Sequence, residues 1–80
     1  MFYTYVLKCA DGNLYIGSTI DLRERVAQHN AGRVPATAHR LPVVLEYYEA
    51  CHSESRARIR EKQLKTGFGR AYLKRRIGEN

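Results

Sequence analysis

The sequence predicts an α+β fold: a small three-stranded, mainly antiparallel sheet with flanking helices, in the order β-β-α-β-α-α. Three observations carry this reading. Short runs rich in aromatic and β-branched residues open the chain and return past its middle. An Asp-Gly pair joins the first two runs in the manner of a hairpin. Three stretches with helical spacing and polar starts fill most of the remainder. A length of 80 residues leaves room for one core, so residues 1–80 are expected to form a single domain.

The first run, Phe2 to Cys9, is strand-like, and after Ala10-Asp11-Gly12-Asn13 a second follows from Leu14 to Gly17. The parity of that turn matters. A three-residue connection, Asp11-Gly12-Asn13, puts Tyr5 and Tyr15 on one sheet face with Tyr3, whereas a two- or four-residue turn puts them on opposite faces. Ser18-Thr19-Ile20-Asp21 forms a capping-box-like start, after which Leu22, Val26 and Ala27 keep helical spacing until Gly32 stops the first helix. Residues 33–42 carry both prolines and read as a loop. Val43 to Ala50 is the third strand. Ser53 caps a second helix that runs through Lys65, with Gly67 as its stop, and Arg70 to Ile77 makes a short, basic third helix.

Charge narrows the range of partners. The 14 Lys and Arg exceed the 8 Asp and Glu by 6. Residues 1–51 hold five bases and five acids, while residues 52–80 hold nine bases and three acids, so the whole excess sits in the last third. An acidic partner is expected. No apolar run approaches the ~20 residues of a membrane span, and the start lacks the basic flank and cleavage site of a signal peptide. A cytoplasmic protein without a membrane partner is the expectation. Cys9 and Cys51 show no Cys-x-x-Cys spacing, which fits a reducing compartment, and with His29, His39 and His52 they lack the short paired spacings of a zinc site.

Polar residues stand where the helical pattern calls for apolar ones. Arg25 and His29 flank the stripe set by Leu22 and Val26, a break in binary patterning of the kind enriched at functional sites. The bland alternative is a semi-buried histidine bonded to a carbonyl and an arginine snorkelling to water. On the second helix, Ala57, Glu61 and Leu64 fall at i, i+4 and i+7, so Glu61 shares the inward face. A buried carboxylate needs a cation or a shifted pKa. Arg25 in a salt bridge and a divalent metal ion both satisfy it, and spacing does not decide between them.

Tyr3-Thr4-Tyr5 on the first strand, Tyr15-Ile16-Gly17 on the second, Leu22-x-x-Arg25-x-x-x-His29-Asn30 and Ser55-Arg56-Ala57-x-x-Arg60-Glu61-x-x-Leu64-Lys65 together resemble the GIY-YIG nuclease superfamily. The chain looks most like its compact members related to the nuclease module of bacterial excision repair. The second tripeptide matches letter for letter; the first is YTY in place of GIY. The resemblance implies a metal-dependent endonuclease in which Tyr5 and Tyr15 orient or deprotonate the attacking water and contact the scissile phosphate. It implies that Arg25 stabilises charge on that phosphate, that His29 supports a catalytic tyrosine, and that Glu61 holds one Mg²⁺ or Mn²⁺. Many members place an asparagine after the metal-binding glutamate, and Lys65 to Ile77 contains none; Arg70 stands in that region.

Nucleic acid, DNA rather than RNA, is then the expected partner, gripped by Arg60, Lys65, Arg70, Lys74, Arg75 and Arg76 on the last two helices. Nothing in the chain reads bases, so selectivity should follow nucleic-acid shape or a partner protein; a DNA-repair role follows by analogy alone. The oligomeric state is open, and a monomer suits the length. The alternative is a non-catalytic nucleic-acid-binding domain on the same scaffold. It explains the charge equally well, but binding alone has no use for an inward carboxylate at Glu61 or for Arg25.

Overall fold

The computed structural model describes residues 1–78. Its elements are β1 (Phe2–Lys8), β2 (Leu14–Thr19), α1 (Leu22–Asn30), β3 (Val44–Cys51), α2 (Glu54–Leu64) and α3 (Gly67–Ile77). The order β-β-α-β-α-α is the one expected. The strands form one sheet in the order β2-β1-β3 with both pairings antiparallel, so β1 lies in the middle.

Because β1 is covered on both faces, its side chains from Thr4 to Leu7 are all buried, and alternation divides them between two cores. Tyr5, Leu7 and Cys9 pack with Val43 beneath Leu22 and Val26 of α1. Val6 packs with Ile16 of β2 against Leu64 of α2 and Leu73 of α3. Thr4 ties the second layer down by donating its hydroxyl proton to the Ala57 carbonyl of α2 at 2.8 Å, which satisfies a polar group that would otherwise cost stability when buried.

The hairpin closes around Ala10-Asp11-Gly12, with Gly12 at φ +86° and the Cys9 N–H bonded to Asn13 O at 2.9 Å. The connection sits one residue earlier than Asp11-Gly12-Asn13, but it is still three residues long. Its odd parity puts Tyr5, opposite Gly17, and Tyr15, opposite Leu7, on the same sheet face. In β3 the register slips between Val6 and Leu7, so Glu46 is an extra residue; Leu45 then faces the α1 layer and Tyr47 the α2 and α3 layer.

Local capping explains the helix starts. Asp21 accepts from the Glu24 N–H at 3.0 Å, and Ser53 accepts from the Arg56 N–H at 3.3 Å. The third helix begins at Gly67, three residues before the expected start at Arg70. Thr66 caps it by accepting from the Gly69 N–H at 3.1 Å. Glycine is a poor helix former, but Gly69 lies so close to the last turn of α2 that a Cβ there would fall on the backbone of Gln63 and Leu64. Packing, not propensity, sets this boundary.

Between α1 and β3 the chain turns through residues 31–43, with a cis bond at Leu41-Pro42. Asn30 spans the base of this segment: its amide nitrogen donates to Val43 O at 3.0 Å and its amide oxygen accepts from Val43 N at 2.8 Å. Among the described residues no helix is long and apolar enough to cross a membrane.

Candidate active site

The shared face of the hairpin and the inward side of α1 meet at the Tyr5 hydroxyl. Tyr5 is 1% exposed, and its phenol crosses Gly17 on the neighbouring strand: a Cβ at Gly17 would lie 2.6 Å from Tyr5 Oη and 2.7 Å from Cζ. The glycine of the Tyr-Ile-Gly run is thus the space the first tyrosine occupies. From α1, His29 Nε2 lies 2.9 Å from the hydroxyl and Arg25 Nε donates to it at 3.4 Å. The Tyr15 ring packs edge-on to the His29 ring, with centroids 5.0 Å apart, and lies 6.4 Å from the Tyr5 ring.

The His29 ring is held at both nitrogens. Thr37, fully buried in the loop after α1, has its hydroxyl 2.8 Å from His29 Nδ1, and that hydroxyl donates onward to Val34 O at 3.5 Å. With the imidazole proton on Nδ1, the ring donates to Thr37 and Nε2 accepts from Tyr5; with the proton on Nε2, both bonds reverse. The electrostatics agree. Burial raises the Tyr5 pKa above its ordinary value and outweighs the hydrogen bond from Arg25, with the charge of Glu61 adding to the rise. Burial, then the Arg25 charge, lowers the His29 pKa. At neutral pH the pair is a phenol and a neutral imidazole.

This has a consequence for stability. The unfolded histidine takes up its proton near pH ~6.5, and the folded one only at lower pH. The unfolded state thus binds more protons in that window, and stability is lost as pH falls below the unfolded value toward the folded one. Denaturant unfolding between pH 7 and pH 5 should show the decline, and His29→Gln should flatten it; an unchanged slope in the variant would contradict the assignment.

Glu61 stands at the margin of the cluster with its side chain 22% exposed. Neither Arg25 nor any other member of the cluster bonds it. Arg25 instead donates to Gln28 Oε1 at 3.0 Å, and Glu61 accepts from Lys65 Nζ at 2.8 Å, one turn along α2. Among the described residues no three His, Cys, Asp or Glu side chains gather into a metal-binding group. A cation seated here would have one protein carboxylate and complete its shell with waters and a phosphate oxygen. That donor set fits Mg²⁺, which keeps several waters, and is foreign to a structural zinc site.

The six basic residues expected to grip nucleic acid separate into three groups. Lys65, Arg70 and Lys74 line one groove together with Tyr15. Arg60 is engaged elsewhere, forking onto Glu49 of β3 with Nε 2.9 Å from Oε1 and Nη2 3.0 Å from Oε2. Glu49 also accepts from the Tyr47 hydroxyl at 2.6 Å, which lies 2.9 Å from the Tyr72 hydroxyl, and Arg76 Nε donates to Tyr72 at 3.2 Å. Burial pushes the Glu49 carboxyl upward, but the bonds from Arg60 and Tyr47 prevail and hold it below its usual range. This cluster locks β3, α2 and α3 together, and it uses two of the expected nucleic-acid contacts, Arg60 and Arg76, to do so. Arg75 is exposed on α3 outside the groove.

Sequence reading gave no role to Thr37, Gln28 or Arg40. Thr37 and Arg40 lie in the proline-bearing loop, where no periodicity reports burial or direction. The Lys65 bond to Glu61 did leave a signal, a glutamate four residues before a lysine on one helix. His39 is exposed, and Cys9 and Cys51 are both free thiols.

Comparison with known proteins bears on this arrangement. A family model described as the GIY-YIG catalytic domain matches residues 1–77. A UPF0213 protein of Streptococcus pyogenes serotype M5 is 50% identical over 64 residues, spanning 79% of this chain and 70% of that protein. A UPF0213 protein of Staphylococcus haemolyticus is 46% identical over 65 residues, spanning 80% and 79%. The solution NMR structure of the UPF0213 protein BH0048 from Bacillus halodurans superposes with a TM-score of 0.56 at 31% identity, covering 91% of this chain and 82% of that one.

Proposed function

Because this chain belongs to the GIY-YIG catalytic domain family, whose fold is of the nuclease type, we propose that it is a divalent-metal-dependent endonuclease. In this reading it hydrolyses phosphodiester bonds in DNA, selecting its substrate by nucleic-acid structure. The observation that carries the reading is the Tyr5 hydroxyl, buried between His29 Nε2 at 2.9 Å and Arg25 Nε at 3.4 Å.

Each residue has a task that its surroundings support. Hydrolysis puts an extra negative charge on the phosphorus-bound oxygens, and Arg25, half-buried beside Tyr5, is a fixed cation to meet it. A phenol is a poor base at neutral pH, and burial makes Tyr5 poorer still. His29 is placed to take the Tyr5 proton at Nε2 in the tautomer whose Nδ1 proton goes to Thr37, and its own lowered basicity leaves that transfer to be driven by the cations around the phosphate. Tyr15, packed on the His29 ring and lining the groove, brings the second phenol to the site. Glu61 would hold Mg²⁺ or Mn²⁺, which when bound supplies a Lewis acid to the phosphate. The Lys65 contact to Glu61 favours a second reading, a binding domain without turnover, in which the carboxylate needs no metal.

A cleavage panel separates the two. Single-stranded, duplex, flapped and branched DNA and the matching RNA are incubated with the protein in Mg²⁺ or Mn²⁺, with and without a chelator. Cutting that the chelator stops is the expected result; binding without cutting on every substrate would leave the binding domain.

A further inference from the structure

Beside Tyr15 runs an open groove of about 530 Å³, between the hairpin tip and α3. Four cations from three separate parts of the chain converge on it: Arg40 from the loop after α1, Lys65 from the end of α2, and Arg70 and Lys74 from α3; no acidic residue lines it. Arg70 and Lys74 have no acidic partner among the described residues. Arg40 pairs with Asp11 at 3.0 Å and Lys65 with Glu61 at 2.8 Å, both exposed contacts that a phosphate can displace. The groove is not polar throughout. Half-buried Leu14 gives it an apolar wall, with Ile16 and Leu73 buried beneath, and the Tyr15 ring, packed against His29, lines it as well.

Duplex nucleic acid hides its base faces in the stack and offers a protein mainly phosphates, whereas an unpaired strand offers phosphates together with sugar and base faces. An apolar wall and an aromatic ring set among four cations match the second. We propose that this groove is the path of an unpaired polynucleotide strand, holding about four phosphates on one side of the bond presented to Tyr5 and Tyr15. The side of the scissile bond rests on the nuclease reading; the binding does not. Arg40, which the helix-based reading of the charge leaves out, joins the binding surface, and Arg75 falls outside it.

Binding is tested by fluorescence anisotropy with chelator present, so that no cutting intervenes, on a DNA single strand, the same strand as RNA, and the duplex of equal length, across a salt series. Single strands should bind more tightly than duplex, with a log–log salt slope near −2.8 for four phosphates at about −0.7 each. Arg70→Ala with Lys74→Ala should weaken single-strand binding about tenfold or more and reduce the slope by about 1.4. Arg56→Ala with Lys62→Ala, which removes equal charge from exposed positions of α2 outside the groove, should change affinity less than about threefold. Single-strand preference in either the DNA or the RNA arm supports the proposal and names the sugar. Equal loss in the two double variants, or tighter binding of duplex, overturns it. Binding as expected without cleavage would overturn the nuclease reading alone, and cleavage undiminished by the Arg70 and Lys74 changes would overturn the groove alone.

Discussion

Glu61→Gln should lower the cleavage rate by about a thousandfold or more while leaving metal-free binding of nucleic acid within about threefold of the parent. The substitution keeps the size of the side chain and its position beside the Tyr5 cluster, and removes only the charge that would seat a cation. Two features keep the structural cost small. The side chain is 22% exposed, and its contact with Lys65 is a surface pair within one helix, a class worth about 0.3–0.5 kcal/mol. Folding should therefore be nearly unchanged, which a thermal melt of the variant checks. Loss of the charge also lessens the rise of the Tyr5 pKa, to which Glu61 contributes. If the tyrosine alone limited the rate, the variant would cut faster. A variant that cuts as well as the parent would show that no cation works at this carboxylate.

Gly69→Ala should produce the largest loss of stability in the chain, about 3 kcal/mol or more, and lower the melting temperature by roughly 15 °C. The added methyl meets the backbone of Gln63 and Leu64 rather than the end of a flexible side chain, so it is accommodated only if α3 lifts off α2. Lifting α3 withdraws Leu73 from Val6, Ile16 and Leu64, and so opens the second core. A domain of this size has about 4–12 kcal/mol in all, so the loss is a large share. Gly67→Ala is the control. Nothing lies within 4 Å of a Cβ at Gly67, and alanine in a helix is favoured over glycine by up to about 1 kcal/mol. It should leave the melt unchanged or raise it. A Gly69→Ala melt within a few degrees of the parent would refute the packing account.

Local chemistry was legible in the residues, and long-range packing was not. Asp-Gly at the hairpin and the cap at Ser53 act within a few residues of themselves, which is why the element order could be read; the first helix is capped by Asp21, the last residue of the Ser18–Asp21 box, because Ser18 and Thr19 continue β2. The start of α3 could not, because Gly67 and Gly69 argue locally against a helix that tertiary contact with α2 demands. The meeting of Tyr5 and Tyr15 hung on the parity of one turn, and the residues of that turn fit either parity. Arg25 and His29 betrayed themselves as polar breaks in an apolar stripe, and both reach Tyr5. Thr37 gave no such sign, since a loop has no periodicity against which a buried residue stands out. Arg60 was read as a free cation because Glu49, its partner, lies on another element.

The double hydrogen bond from Asn30 to Val43 makes one side chain do the work of a rung of backbone, cinching residues 31–42 at the neck. Inside the cinch the chain is held by its own turns, Thr37 N–H to Val34 O at 3.0 Å and Arg40 N–H to Thr37 O at 2.9 Å, and Arg40 O accepts from Ala10 N–H of the hairpin at 2.9 Å. Thr37, which serves His29, sits at the middle of the excursion, and Arg40, which lines the groove, lies one turn beyond it. The neck at Asn30 thus anchors two working parts at once, the hydroxyl behind the histidine and the cation at the groove, and loosening it would be felt at both.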